Sequence, residues 1–188
     1  MPRPDHSRAA LIESAATLFR RQGYAATGVN QILEAADAKA GSLYHHFPGG
    51  KQELAAAVVD TSGQAIERLL RKFLGTDAPA PDVVDRWIDL LVGGLAGDPR
   101  DGCPIEPIAT ESVSASPLVR AASARAFTGW CAAIADRLRA GGWRADDADT
   151  TALAVIALIE GALILSRIQG TPNALESAKI GARALLTR

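Results

Sequence analysis

The chain has 188 residues, of which 48% are hydrophobic and only 5% aromatic, and its net charge is -1 at pH 7. This length allows one compact unit or two small ones, and the composition excludes a disordered chain and favours aliphatic helices. Residues 1–51 carry six Lys/Arg against four Asp/Glu, whereas residues 52–188 carry fourteen against seventeen. So small an asymmetry does not by itself indicate a nucleic-acid partner, because affinity for DNA grows with the number of phosphates neutralised.

Two cysteines, Cys103 and Cys131, lack the CxxC spacing and the neighbouring histidines of a zinc site, so we expect no metal and no cofactor. The start of the chain, MPRPDHSR, lacks the apolar segment of a signal peptide. The most apolar run, residues 152–165, is interrupted by Glu160 and is short for a membrane span. We therefore interpret it as a buried helix and expect a cytoplasmic protein without a membrane partner.

Apolar residues recur with the period of a helix along the chain, and no stretch shows the alternation of a strand. Clusters of Gly and Pro, such as Pro48-Gly49-Gly50 and Gly170-Thr171-Pro172, separate the periodic stretches. The sequence therefore predicts an all-α protein. Its helices are expected over residues 7–22, 29–36, 40–47, 51–74, 82–95, 105–114, 117–140, 146–168 and 173–186.

The segment 29–51, VNQILEAADAKAGSLYHHFPGGK, predicts two short helices joined by a tight turn. Thr27 is placed to cap the first helix, and Asp37 tolerates the left-handed backbone that such a turn needs. Two helices of this kind can present the second one to the major groove of DNA. An ordinary helical corner would have the same periodicity, so the pattern alone leaves both interpretations open.

The run GSLYHHFPGGKQEL is more specific, because it combines six residue types in a fixed order: Gly41, Leu43, Tyr44, Phe47, Pro48 and Lys51. Residues 7–54 resemble the N-terminal domain of TetR-family transcriptional repressors. The doubled glycine before Lys51 and the later Gly102-Cys103-Pro104 resemble the LmrA/YxaF-type branch of that family. The resemblance implies a three-helix, helix-turn-helix DNA-binding domain over residues 1–50. It also implies a helical ligand-binding and dimerisation domain over residues 51–188.

The resemblance further implies which residues touch DNA. Hydroxyl and ammonium groups suit phosphates, and the side-chain amides of Asn30 and Gln31 suit adenine. The expected contact residues are Thr27, Asn30, Gln31, Lys39, Ala40, Gly41, Ser42, Tyr44, His45, His46 and Lys51.

The chain departs from the family pattern at three nearby positions. Asp37 replaces the usual glycine, Lys39 stands where the branch often has proline, and Ala40 replaces a common lysine. The positive charge is thereby moved by one position, which leaves the phosphate contacts and the operator sequence open. A plain surface role is the alternative for His45 and His46.

Apolar residues of the C-terminal half, with a few polar groups among them, fit a pocket for a small hydrophobic inducer, as the resemblance implies. Each residue taken alone is explained better as core. A redox-sensing role for Cys103 is a further alternative. The expected pocket residues are Trp87, Leu91, Cys103, Ile105, Ile108, Glu111, Phe127, Trp130, Cys131, Ile134 and Leu158.

The helix over residues 146–168 has two apolar stripes, and only one of them can be buried within a single copy of the chain. Small residues in the second stripe permit close approach of a partner helix. We expect a two-fold homodimer through a four-helix bundle, as in the family. Its interface would include Ala157, Glu160, Gly161 and Ile164.

These expectations describe a homodimeric repressor that binds a palindromic operator and is released by a small hydrophobic inducer. Glu106, Glu111 and Glu160 are accompanied by no nucleophile–base pair, phosphate loop or metal cluster, so an enzyme is not expected. The alternative is a helical small-molecule-binding protein without DNA binding, which Ala40 and the weak basicity leave open.

Overall fold

The computed structural model describes residues 6–112 and 114–187, and within them every regular element is a helix. The expected all-α fold is confirmed, and each observed helix end lies within two residues of the predicted one. The predicted sixth helix also runs over Val113, which lies outside the described residues. The observed bounds are α1 (His6–Gln22), α2 (Val29–Ala35), α3 (Ala40–His46), α4 (Lys51–Leu74), α5 (Ala80–Gly97), α6 (Glu106–Ser112), α7 (Pro117–Ala140), α8 (Ala145–Gln169) and α9 (Asn173–Leu186).

The chain divides into two compact units. The first unit joins Met1–Gly63 to Pro104–Ala126, and the second joins Gln64–Cys103 to Phe127–Arg188. The start of α4 and the whole of α6 therefore belong to the first unit, although the predicted boundary lies at residue 50. The assignment of separate functions to residues 1–50 and 51–188 stays a prediction.

Helix α1 is the centre of the first unit, since α2, α3 and α6 all pack on it. Helices α2 and α3 have only seven residues each, too few for stability in water, so they depend on packing. Complete burial of a large apolar side chain contributes about 1.5–3 kcal/mol. The core side chains of this unit that are at most 1% exposed include Leu11, Phe19, Ile32, Leu43, Phe47, Leu54, Ile105 and Ile108.

The turns around α2 are set by three residues. The backbone of Asp37 is left-handed with φ of 47°, as predicted. The prediction that Thr27 caps α2 is wrong, because the N-cap is Gly28, whose N–H donates to Gln31 Oε1 at 2.8 Å. Thr27 is fully buried instead, and its Oγ1 donates to the carbonyl of Gly23 at 2.6 Å. Thr27 therefore ties the end of α1 to the start of α2.

The second unit is built mainly from α5, α8 and α9, which pack on one another. Ion pairs also join α9 to α5: Arg183 Nη2 lies 2.8 Å from Asp82 Oδ1 and 2.5 Å from Asp85 Oδ2, and Lys179 pairs with Asp89. Such exposed pairs add little stability but fix how the two helices align. The buried residues include Val83, Trp87, Ile88, Ile134, Leu138, Ile156 and Leu175.

Helix α8 has one buried and one exposed apolar face, as its two stripes predict. The buried face consists of Ala148, Ala152, Val155, Ile156, Ile159, Ala162, Leu163 and Ser166. The exposed face includes Leu153 at 62%, Ile164 at 38% and Ile168 at 76% exposure. Among the described residues, α8 is the helix that could cross a membrane by its length and composition alone, a test that core helices also pass.

Gly102 leaves room for the side chain of Arg167 on α8, which lies directly over it. A Cβ at this position would lie 2.7 Å from Arg167 Cδ and 3.0 Å from Nη1. A side chain at residue 102 would overlap Arg167 as it stands, so it would require the Arg167 side chain to move.

Candidate nucleic-acid interface

Helix α3 has a buried face and an open face. Leu43 is fully buried and Phe47 is 1% exposed, whereas Tyr44, between them in sequence, is 55% exposed. A Cβ added at Gly41 would meet no atom within 4 Å, so the backbone there is open to close approach. The other exposed members of the expected DNA-binding set are Asn30, Gln31, Lys39, Ala40 and His45. Hydroxyl, amide, imidazole and ammonium groups on a short helix and its neighbour are suited to phosphates and base edges.

Two expected DNA contacts, Ser42 and His46, are half-buried and are tied to α1 through Ser7. Ser42 Oγ donates to Ser7 Oγ at 3.0 Å, and Ser7 Oγ lies 2.8 Å from His46 Nε2. Ser7 lies in the first turn of α1, at the start of the first predicted helix. Its role in holding α3 was missed, because residues 35 and 39 positions apart share no periodic signal.

Gln31 is exposed, but its carbonyl is already engaged. Gln31 Oε1 accepts from the N–H of Gly28 at 2.8 Å and from Gln22 Nε2 at 3.2 Å. The side-chain NH₂ is therefore the group that can turn outward to a base edge. Thr27, fully buried, does not reach the surface, and the structure removes it from the expected contact set.

Lys51 begins α4 and is folded onto Tyr24. Its Nζ donates to the carbonyl of Tyr24 at 2.6 Å and lies 4.1 Å from the centre of the Tyr24 ring. Burial lowers the pKa of Lys51, and the charge of Glu111 acts in the opposite direction. Burial also raises the pKa of Tyr24. To contact a phosphate, the Lys51 ammonium must either leave the Tyr24 carbonyl or donate to the carbonyl and the phosphate at the same time.

The side chain of Glu111, expected to bind a ligand, contacts the backbone of the first unit in the structure. Its Oε2 accepts the backbone N–H of Ala25 at 2.5 Å, in the turn between α1 and α2. A Cβ at Gly23 would lie 2.5 Å from Glu111 Oε1. Ile105 and Ile108, predicted for the same pocket, are fully buried core residues of the first unit.

The remaining expected ligand residues lie in the second unit, where two of them meet. Trp87 and Ile134 line a space of only about 10 Å³, which holds at most one water molecule. Small-molecule pockets are usually about 300–1,000 Å³. Aromatic contacts fill the neighbourhood, with Phe73 and Trp87 rings 6.1 Å apart and Phe127 and Trp130 rings 4.9 Å apart. The space lined by Trp87 and Ile134 is therefore too small for such a ligand as it stands.

Three other expected ligand residues have different surroundings. Leu158 lies between α8 and α9, where its Cδ2 would be 3.0 Å from a Cβ at Gly181, and it lines an open groove between these helices. Cys131 is half-buried, and burial raises its pKa, which disfavours a reactive thiolate. Cys103 is 5% exposed, which restricts access of an oxidant, and Leu91 is half-buried.

A separate cavity of about 130 Å³ lies near the ends of α5 and α8. None of the expected ligand residues lines it. Its lining is Val92, Leu95, Ala96, Pro99, Ser166, Arg167, Gly170, Thr171 and Pro172. Within the described part of the chain, no cluster of His, Cys, Asp or Glu is able to hold a metal ion.

An open groove of about 560 Å³ runs between α8 and α9. It is lined on the α8 side by Ala157 and Gly161, two of the expected interface residues. Of the other two, Ile164 is 38% exposed and Glu160 is half-buried. A Cβ at Gly161 would meet no atom within 4 Å, so there is room above this point of α8. The groove is thus mainly apolar and accessible.

Two family models match the chain, one in its N-terminal part and one in its C-terminal part. Residues 11–58 match the family model for bacterial regulatory proteins of the tetR family. Residues 81–180 match the model for the C-terminal domain of LmrA/YxaF-like transcriptional regulators. Among solved structures, regulatory protein TetR from Rhodobacter sphaeroides has a TM-score of 0.84 at 26% identity, covering 96% of this chain and 99% of that one.

Curated relatives extend this similarity over most of the sequence. The uncharacterized HTH-type transcriptional regulator YxaF of Bacillus subtilis is 31% identical over 161 residues, covering 85% of this chain and 84% of the relative. The HTH-type transcriptional regulator LmrA of Bacillus subtilis is 30% identical, covering 85% of this chain and 86% of the relative. The chain therefore belongs to the TetR family of transcriptional regulators, in its LmrA/YxaF-like branch.

Proposed function

We propose that two copies of this chain bind a palindromic operator and repress transcription, and that a small hydrophobic ligand releases them. TetR-family proteins are DNA-binding regulators that act as dimers, and they are not enzymes. For this chain, the observation that carries the proposal is the open face of α3, where Tyr44 is 55% exposed beside fully buried Leu43. A DNA-binding regulator acts where the chromosome is, so a cytoplasmic location follows from the same proposal.

In the proposed complex, α3 enters the major groove and α2 supports it. Tyr44 and Lys39 would bind phosphates, and the Gln31 NH₂ would donate to an acceptor on a base edge. The open backbone at Gly41 would let the helix approach the DNA closely. Two such helices would read half-sites about 34–36 Å apart.

The direct test is fluorescence anisotropy with labelled DNA from upstream of the protein's own gene. We expect Tyr44→Ala to weaken binding by about 30-fold, since the dimer loses a phosphate hydrogen bond in each half-site. Lys39→Ala should lower the slope of log K against log salt by about 2, because two phosphate contacts disappear.

Tyr24→Phe is the matched control, since it removes a tyrosine hydroxyl from the same unit but keeps the ring beneath Lys51. Its affinity and salt slope should equal those of the unmodified protein. If the unmodified protein fails to bind upstream DNA at about 10 μM and low salt, the alternative of a small-molecule-binding protein without DNA binding takes its place.

The proposed dimer buries the exposed apolar face of α8 together with α9. Leu153, Ile164 and Ile168 of α8 and Ile180 of α9 are 38–76% exposed in the single chain. An exposed apolar stripe of this kind marks an interaction surface, and the groove beside Gly161 has room for a partner helix. A second copy of the same chain supplies two such helices, which completes a four-helix bundle.

The proposed ligand enters the interior of the second unit, near Trp87 and Ile134. Because the space there is only about 10 Å³, binding must separate packed side chains. A ligand that stabilises the opened unit shifts the protein away from its DNA-binding state only if it binds the opened state more tightly.

A tryptophan-quenching titration with a panel of uncharged aromatic compounds tests the ligand proposal. A true ligand should quench the emission of Trp87 saturably, because Trp87 lines the space, and should release DNA in the anisotropy assay over the same concentrations. Trp87→Phe should remove most of the quenching signal. Quenching that saturates without any change in DNA affinity would contradict the proposed switch.

A further inference from the structure

The turn between α1 and α2 is held from two sides by charged groups. From one side, the ammonium of Lys51 donates to the carbonyl of Tyr24 at 2.6 Å. From the other, the carboxylate of Glu111 accepts the N–H of Ala25 at 2.5 Å. All of these residues belong to the first unit. The turn is thus fixed by one residue at the start of α4 and one near the end of α6.

Glu111 is the only acceptor that the described structure provides for the N–H of Ala25. The neighbouring amides bond locally: that of Gly23 to the carbonyl of Phe19 at 2.9 Å, and that of Thr27 to the carbonyl of Tyr24 at 3.3 Å. Hydrogen bonds to a charged group are stronger than bonds between neutral groups. The turn therefore depends on α6 for one backbone bond that its own sequence does not make.

The backbone at Gly23 is adapted to this contact. Its φ is +88°, a conformation that favours glycine, and an added Cβ would lie 2.5 Å from Glu111 Oε1. A side chain at this position would push the carboxylate away from Ala25. The turn and the end of α6 therefore approach each other closely because residue 23 has no side chain.

The turn between α1 and α2 also positions the start of α2. Buried Thr27 donates to the carbonyl of Gly23 at 2.6 Å and accepts from Gln22 Nε2 at 3.2 Å. Gln22 Nε2 also donates to Gln31 Oε1 at 3.2 Å, which orients a side chain on the open face. A change in the turn is thus transmitted by hydrogen bonds to the residues beside α3.

We propose that Glu111 is a positioning residue for DNA binding: through the Ala25 amide it holds the α1–α2 turn, and thereby the start of α2 and Gln31, in the arrangement that binds DNA. The inference rests on the proposed function, since it presupposes that the surface formed by α2 and α3 binds DNA. Glu111 itself makes no DNA contact in this account. Its removal changes how well the contacts are pre-arranged and leaves their number unchanged.

The test measures operator affinity as a function of salt for Glu111→Ala and Glu111→Gln. We expect Glu111→Ala to weaken binding by about tenfold, roughly threefold for each half-site, because the turn must be ordered on binding. The salt slope should remain that of the unmodified protein, because no phosphate contact is lost. Glu111→Gln should recover most of the affinity, since its amide oxygen also accepts the Ala25 N–H.

Glu106→Ala is the matched control, because it removes the same charge from the same helix. Among the described residues, the carboxylate of Glu106 accepts from Thr110 Oγ1 one turn later, at 3.2 Å, and makes no bond to the turn between α1 and α2. Its affinity should be unchanged. Thermal melting and sedimentation of each variant check that folding and dimer formation are preserved.

The possible results separate the inference from the function on which it rests. If Glu111→Ala and Glu111→Gln both bind more tightly, the carboxylate merely repels phosphates and the positioning role is overturned. Equal weakening by both substitutions, or by Glu106→Ala as well, also overturns it. If Tyr44→Ala binds as tightly as the unmodified protein, the proposed DNA-binding surface itself is wrong, whatever Glu111 does.

Discussion

Gly161→Arg is expected to convert the dimer to a monomer and to lower operator affinity by about a hundredfold or more, since one chain then binds one half-site. The reason is steric and electrostatic: a long charged side chain would stand in the open groove where the partner helix is proposed to pack. The single chain tolerates the change, because a Cβ at Gly161 meets no atom within 4 Å. Sedimentation velocity and anisotropy measure the two effects.

The matched control is Gly93→Arg on α5. Gly93 is also a helical glycine whose added Cβ would meet nothing within 4 Å, and it is exposed. In both variants the intrinsic stability of the helix should rise slightly, since glycine disfavours helices by about 1 kcal/mol. A Gly161→Arg protein that sediments as a dimer and binds DNA normally would place the dimer interface elsewhere.

Phe47→Ala is expected to destabilise the first unit by about 3–5 kcal/mol, since it removes a fully packed ring and leaves a cavity. Phe47 is 1% exposed, and the guanidinium of Arg8 lies 5.3 Å from its ring centre. With the ring gone, α3 loses the larger of its two apolar anchors. Chemical denaturation followed by circular dichroism measures the loss.

Tyr44→Ala is the control for stability, because this neighbouring aromatic residue is 55% exposed. Its unfolding free energy should stay within about 0.5 kcal/mol of the unmodified protein, although its DNA binding is expected to be weaker. The pair therefore separates the two faces of α3. Equal destabilisation by both substitutions would contradict the assignment of Tyr44 to an open face.

The helices were predictable because their signal is local. Apolar residues three and four positions apart marked each buried face, and Gly or Pro marked most of the ends. The left-handed turn at Asp37 was predictable for the same reason, since the side chain and the backbone angle belong to one residue. The N-cap of α2 was not predictable, because Thr27 is buried against the end of α1 and Gly28 becomes the N-cap instead.

The site was predictable where the family pattern is local and not where distant segments meet. The open face of α3 follows from the order of residues 40–47, but the contact of Glu111 with Ala25 spans 86 residues and has no sequence signal. The ligand set was least predictable. Apolar type places Trp87 and Ile134 in the interior, but the width of the space between them depends on how side chains pack.

The packing of Arg167 over Gly102 limits how this sequence can drift. A mutation that gives residue 102 a methyl group would force the Arg167 side chain to move, because the new Cβ would lie 2.7 Å from its Cδ. Arginine can move by changing its rotamer, or a shorter residue can replace it. Among relatives with the Gly-Cys-Pro tripeptide, we therefore expect an alanine in the first place to be accompanied by a reoriented or shorter side chain at the matching position of the eighth helix.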